Sequence, residues 1–243
     1  MRTPILIGLH GVKQSGKDTT ASFIEEWAGG LSRSLTVKRR GFADKAKWAF
    51  TRQFFPEITM VGAIAWFDDI KDDPAAQVWV TEDGGVSVME TQVRDCMAQF
   101  STDSARDIYG FDHWLDQLLL DDKIQYADYV SPQHHTWHNE FMIDLGDDVD
   151  FQLRVADICV ITDERFENEN RRINKLGGIN LKIRRKDAED AVIEEARSKG
   201  REVHRSELGL PDKLFDFIIN NDDNDMDKAR KRTFDVLDII NVL

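Results

Sequence analysis

The stretch that decides the fold is Ile5-Leu6-Ile7-Gly8-Leu9-His10-Gly11-Val12-Lys13-Gln14-Ser15-Gly16-Lys17-Asp18-Thr19. Its first part, Ile5 to Leu9, is apolar and bounded by Pro4 and Gly11, which predicts a buried strand. Its second part fits G-x-x-x-x-G-K, with Asp18 where Ser or Thr is usual. From Gly16 a helix is expected, with Ala21, Phe23, Ile24 and Trp27 on its apolar face and Gly29-Gly30 stopping it. Strand, glycine-bounded turn and helix, in that order, are what a phosphate cradle requires. Gly11 lets the chain leave the strand sharply, and Gly16 lets backbone N–H groups approach an oxyanion. N–H groups from Gln14, Ser15, Gly16, Lys17 and Asp18 would curl around a β-phosphate at a helix N-terminus, where the helix dipole adds attraction. Lys17 would reach the β- and γ-phosphates as a point charge.

Outward from this stretch, strands and helices alternate. A second strand is expected over Thr36 to Phe42, then a helix from Asp44 to about Phe55, which Asp44 is placed to cap. Residues 56–91 change character: Pro56, Asp68-Asp69, Asp72-Asp73-Pro74 and Gly84-Gly85 punctuate short apolar pieces. They read as an insertion with a hairpin across VWVTEDGGVSVM. A helix returns from Thr91 to about Phe100, and another carries Trp114, Leu115, Leu118 and Leu119. Residues 126–150 have no clear period and read as loop. Further strands are expected at 156–161, at Ile179 to Ile183 and at 216–219, with a helix through Asn170–Leu176 between the first two. Residues 184–205 set basic side chains around an acidic helix, an excursion from the sheet. The tail, 225–243, places Phe234, Leu237, Ile240 and Leu243 at helical spacing, a face that suits a second subunit as well as its own core. The whole predicts one α/β domain over 1–243, a parallel sheet with helices on both faces.

Composition narrows the function. The 243 residues carry a formal net charge of -13, from 45 acidic and 32 basic side chains. Such a surface repels polymeric nucleic acid and anionic membranes, so polyanion binding is expected only in a small basic pocket, which suits a free nucleotide. Two cysteines, Cys96 and Cys159, give no metal-binding spacing and read as core thiols in a reducing compartment. No segment approaches a membrane span, and the N-terminal apolar run is too short for a signal peptide, so a cytoplasmic protein is expected.

The run GVKQSGKDTTASFI resembles the phosphate loop of phage-type deoxynucleoside monophosphate kinases, which characteristically have Gly-Lys-Asp in place of Gly-Lys-Ser/Thr. Thr162-Asp163-Glu164-Arg165-Phe166-Glu167-Asn168-Glu169 is similar to that family's Thr-Asp-x-Arg-Phe-x-Asn-Glu. Ser101-Thr102-Asp103-Ser104-Ala105-Arg106, followed by Asp112 and Trp114, is a looser match, with Ser101 where the family tends to have Gly. His204-Arg205-Ser206-Glu207 is close to the family's His-x-Ser-Glu. Phosphomevalonate kinases share the Gly-Lys-Asp feature. Residues 56–91 and 126–150 match no motif of the family.

The resemblance implies a three-layer P-loop kinase fold of the adenylate-kinase type, with 56–91 as an acceptor-side insertion and 184–205 as a small lid. It implies ATP as donor, Mg²⁺, and a deoxynucleoside monophosphate as acceptor. ATP would lie on Gln14, Ser15, Gly16, Lys17, Asp18 and Thr19, with Arg184, Arg185 and Arg201 closing over it. The acceptor side would draw on Lys13, Asp44, Lys47, Arg106, Trp114, Arg165 and Glu169. Lys13, Lys17, Asp163 and Arg165 would carry the catalytic charges. Mg²⁺ falls to Asp18, directly or through water, or to the Thr19 hydroxyl.

Each assignment has a plainer reading. Lys13, Lys47 and the lid arginines fit a solvated surface, and Trp114 fits a core. Arg165 fits an ion pair with Glu167 or Glu169, and Asp163 a helix cap. His134, His135 and His138 fit a surface loop better than a metal site. Two rival functions remain: another small-molecule kinase of the phosphomevalonate kinase kind, or a non-metabolic nucleotide-binding module. Against a guanine-reading switch, Asn174-Lys175-Leu176-Gly177 lacks the required Asp.

Overall fold

The computed structural model describes residues 5–71, 73, 77–78, 91–98, 100–101, 109–110, 112–114, 142–143, 154–198, 200, 202–203, 207, 209–222 and 225–242. The chain divides into two compact units, Met1–Gly41 with Leu119–Leu243, and Phe42–Leu118. The second unit opens at residue 42, and the excursion expected over 56–91 lies inside it.

The first unit is built on a five-stranded parallel sheet. Its strands are β1 (Ile5–His10), β2 (Val37–Arg40), β7 (Ile158–Glu164), β8 (Ile179–Arg184) and β9 (Phe217–Asn220), in the order β2-β7-β1-β8-β9. Helix α1 (Lys17–Gly30) follows β1, α5 (Glu167–Lys175) follows β7, α6 (Lys186–Ser198) follows β8, and α7 (Met226–Val242) follows β9. Two very short strands, β5 (Met142–Ile143) and β6 (Arg154–Val155), pair antiparallel beside this sheet in sequence. The alternation of strand and helix therefore gives the parallel α/β fold that the sequence predicts.

The two faces of the sheet follow from the two-residue period of its strands. Ile7 and Leu9, Ile158 and Val160, and Leu181 and Ile183 form one buried cluster with Ala21, Ile24 and Trp27 of α1 and Leu237 and Ile240 of α7. Each fully buried Leu or Ile contributes on the order of 1.5–3 kcal/mol. Trp27 Nε1 donates to Asp238 at 2.8 Å and fastens α1 to α7. The amphipathic tail thus covers its own core. Helix α5 packs on the opposite face, where Gly8 leaves room for it: a Cβ there would stand 2.5 Å from Ile173 Cδ1.

Several boundaries move for local reasons. The third core strand runs on through the polar residues Thr162, Asp163 and Glu164, because its ladder to β1 continues past the apolar run. The register shifts between Gly8 and His10, so that Gly8 faces Ile161 while His10 faces Glu164. That extra residue in β7 reverses the alternation and brings Glu164 to the α5 side. β2 is shorter than expected, and β9 lies one residue later.

In the second unit, α2 (Asp44–Thr51) packs with α3 (Met60–Ile70) and α4 (Val93–Ala98) around Ala46, Phe50, Phe67, Val93, Cys96, Met97 and Trp114. Asp44 is not a cap: Ala43 holds that position in helical conformation, without a side-chain cap, and Asp44 begins the helix. The helix also ends at Thr51, short of Phe55. Helix α3 was not legible because MVGAIAWFDDI lacks a regular polar stripe; Thr59 starts it by accepting from the Gly62 N–H at 3.1 Å. The expected hairpin is framed by β3 (Gln77–Val78) and β4 (Thr91–Gln92), which pair antiparallel; residues 79–90 lie outside the described residues.

Candidate phosphate-binding site

The chain leaves β1 toward one face of the sheet and its neighbour β7 toward the other. Crevices beyond the carboxyl ends of such strands are where open α/β sheets bind ligands. The glycine-bounded loop and Arg165 stand there side by side, since His10 and Glu164, the last residues of their strands, are register partners.

The loop is shaped by its own backbone and by side chains that bind its carbonyl groups. Gln14 has a φ of 64° and Gly16 a φ of 101°, both left-handed. Gly16 has a second reason to be glycine: a Cβ would lie 2.6 Å from Asn221 Nδ2. Gly11 likewise has no room, since its Cβ would meet Ile183 O at 2.6 Å. Asn221 Nδ2 donates to Ser15 O at 3.1 Å, and Arg185 donates to Gln14 O at 3.5 Å. In a trans peptide C=O and N–H point oppositely, so holding the Ser15 carbonyl outward turns the Gly16 N–H inward. Gly16 caps α1 without a side-chain bond, and the N–H groups of Lys17, Asp18 and Thr19 have no partner within the helix by geometry. Free N–H groups at a helix N-terminus are the kind of arrangement that can hold an anion.

Lys17 folds back over the loop and donates to Gly11 O at 2.6 Å and Val12 O at 2.9 Å. Burial and then the Arg165 charge lower its pKa to about 8, while Asp18 and Asp163 oppose them. Arg165, Asp18 and Asp163 are therefore close enough to act on the Lys17 ammonium. An arriving phosphate would relieve the repulsion between the two cations.

The other expected residues sort as follows. Lys13 and Gln14 are exposed on the loop, Ser15 is buried beneath it, and Asp18 is exposed on the first turn of α1 beside half-buried Thr19. Asp163 is half-buried within β7 and is not a helix cap, a position Phe166 takes. Arg165 is exposed, and the two glutamates that might have paired with it are engaged elsewhere. Glu167 bonds Arg171 at 2.6 Å, and Glu169 Oε2 accepts from the backbone N–H groups of Arg165 at 2.7 Å and Phe166 at 3.0 Å. Glu169 is 2% exposed and braces the Arg165 turn. Arg184 pairs with Asp212, and Arg185 is shared between Asp187 and the loop.

Asp44, Lys47 and Trp114 belong to the second unit. Lys47 lies 3.1 Å from Asp68 and 3.9 Å from Asp44. Trp114 takes the plainer of its two expected roles: it is 6% exposed, donates to Ser101 O at 2.8 Å and sits in that unit's core. Arg106, Arg201 and His134, His135 and His138 lie outside the described residues.

Beneath the loop, on the α5 face, is a buried polar group that the sequence reading missed. His10 is 3% exposed and holds Glu164 O at 2.9 Å through Nδ1. The Leu210 N–H bonds its Nε2 at 3.0 Å. A backbone N–H can only donate, so Nε2 carries the lone pair and Nδ1 the proton. Burial, with nearby Lys182, Lys17 and Arg165 against the Glu164 carbonyl, lowers the His10 pKa to about 4. Glu164 is fully buried and accepts from Asn170 at 2.9 Å, and burial raises its pKa to about 8. Lys182 bonds Leu210 O at 2.7 Å and Asp212 at 2.9 Å. The available signal was the alternation Asn180-Leu181-Lys182-Ile183-Arg184, which has polar residues at every second place of a central strand.

Asp18, Thr19 and Asp163 are hard oxygen donors of the kind Mg²⁺ takes, which fits a cation arriving with a nucleotide. Among the described residues no three His, Cys, Asp or Glu side chains gather as a metal site of their own. Among the same residues no helix is long and apolar enough to cross a membrane. Set against models of known protein families and against curated protein sequences, the chain matches none.

Proposed function

We propose that this protein is an ATP-dependent kinase of small phosphorylated acceptors, with deoxynucleoside monophosphates as the expected class. The observation that carries the reading is the uncapped, left-handed Gly16 turn with Lys17 folded onto it, one strand away from Arg165. In support, the core strands taken in chain order run second, third, first, fourth, fifth across an all-parallel sheet flanked by helices, which is consistent with a P-loop-like layout.

On this reading the loop N–H groups and Lys17 hold the donor's β- and γ-phosphates, and Arg165 with Lys13 holds the acceptor phosphate. An acceptor phosphate oxygen attacks the γ-phosphorus in line, the bond to the β-phosphate oxygen breaks, and ADP leaves. The attacking oxygen is already anionic, so no general base is needed. Catalysis is positioning and charge neutralisation. Asp18, Thr19 and Asp163 would hold Mg²⁺ directly or through water, and the ion would supply further neutralisation of phosphate charge.

The test is ADP release from Mg·ATP with each of the four common deoxynucleoside monophosphates, AMP and mevalonate phosphate. Stimulation by at least one deoxynucleotide is expected. Stimulation by none of the nucleotides would defeat the reading, and stimulation by mevalonate phosphate alone would transfer it to the rival kinase.

A further inference from the structure

We infer that His10 is a positioning residue for Arg165, acting through the peptide bond between Glu164 and Arg165. The inference rests on the reading of Arg165 as an acceptor-phosphate clamp. That peptide is gripped on both sides. Its C=O accepts from His10 Nδ1–H at 2.9 Å, and its N–H donates to Glu169 Oε2 at 2.7 Å. With both ends fixed, the plane of the peptide is fixed, and so is the direction in which the Arg165 Cα leaves the strand. Burial strengthens the grip, since His10 and Glu169 are 3% and 2% exposed and neither has water to turn to.

The ring is itself held in the required tautomer. The Leu210 N–H occupies Nε2, which leaves the proton on Nδ1, facing the Glu164 carbonyl. Phe215 stacks on the imidazole at 5.0 Å between centroids and 27° between planes. Residues 210–216 are tied down in turn. Lys182 holds Leu210 O, Asn170 holds Leu214 O at 3.0 Å, and Asp216 accepts from the Asn180 N–H at 2.8 Å. This strap reaches the Glu164–Arg165 peptide through His10, which also precedes Gly11 directly in the chain. A histidine chosen merely to fill space would need neither bond.

The experiment is a mutant cycle on ADP formation with His10→Ala, His10→Asn, Arg165→Ala and the double variant His10→Ala/Arg165→Ala, with amide hydrogen exchange as a second readout. Asn keeps an N–H donor near the place of Nδ1 but cannot reach Leu210. The expected result is a kcat loss of at least tenfold in His10→Ala, recovered at least threefold by Asn, with ATP affinity within threefold of the parent. The double variant should be no slower than Arg165→Ala alone. Exchange of the Arg165 amide should quicken at least tenfold in His10→Ala. If Arg165→Ala lowers turnover to a still measurable rate and the His10 loss multiplies onto it, His10 acts elsewhere and the inference is wrong while the reading of Arg165 stands. Unchanged exchange at Arg165 overturns the inference without any appeal to activity. Full turnover by Arg165→Ala removes the reading of Arg165, and the inference falls with it.

Discussion

The two faces of the five-stranded sheet come from the same strands and differ in kind. Toward α1 and α7 the strands present Ile7, Leu9, Ile158, Val160, Leu181 and Ile183, all buried in one apolar cluster. Toward α5 they present Gly8 and the polar residues His10, Glu164, Asn180 and Lys182, each of which makes at least one directed hydrogen bond. Apolar packing is non-directional and tolerates exchange of one side chain for another of similar volume. A buried polar group holds only when each donor meets its acceptor, so it fixes orientation. One face therefore holds the fold together, and the other aims the loop and the Arg165 turn at its end.

Removing the charge at the tip of this arrangement should have the largest effect. Lys17→Ala is expected to lower kcat about 10³-fold while the thermal midpoint moves little. Near-normal turnover, measured by ADP release, would mean that the loop has been misread. On the apolar face the pattern should invert. Leu237 is 1% exposed, and Leu237→Ala should cost about 2–5 kcal/mol in a denaturant titration while the kcat of the remaining folded protein is unchanged.

The apolar face and the loop were legible in the sequence; the polar face was not. Ile5 to Leu9 and the glycine and lysine spacing after them announce strand, turn and helix through local chemistry. Asp163 and Arg165 could be placed near a strand end, but their setting depends on a register shift in β7 that no side-chain pattern reveals. His10, Lys182 and Leu210 meet across about 200 positions of chain, and only the folded sheet brings them together. Glu169 was expected on the acceptor side from the family resemblance alone, and the fold sets its Oε2 against the backbone N–H groups of Arg165 and Phe166. Of the two readings open for Trp114, the core one fits its surroundings, and α3 escaped notice because the core it packs in belongs to the second unit.

Two smaller effects sharpen the contrast. Gly8 faces the polar side, where an added methyl would stand 2.7 Å from both Glu164 Oε2 and Asn180 Oδ1 and 2.5 Å from Ile173 Cδ1. Gly8→Ala should therefore destabilise by roughly 1–3 kcal/mol, against the usual gain from removing a strand glycine. Smallest at low pH is Glu164→Gln. With its pKa raised from 4.5 to about 8, Glu164 binds more proton in the folded state than in the unfolded state across that window. Its contribution is present below about pH 4.5 and is lost as pH rises through about 8. The amide should be nearly neutral in stability at low pH and should flatten the decline toward pH 8. An unchanged slope in chemical denaturation across that range would show that the carboxyl is already ionised in the fold.

The central claim is that the turn from Gly11 to Lys17 receives a nucleotide's phosphates, and calorimetric titration with Mg·ADP tests it most directly. Saturable binding by the parent protein, weakened at least tenfold by Lys17→Ala, is the predicted result. Absence of saturable binding, or equal affinity in the two proteins, would contradict the account.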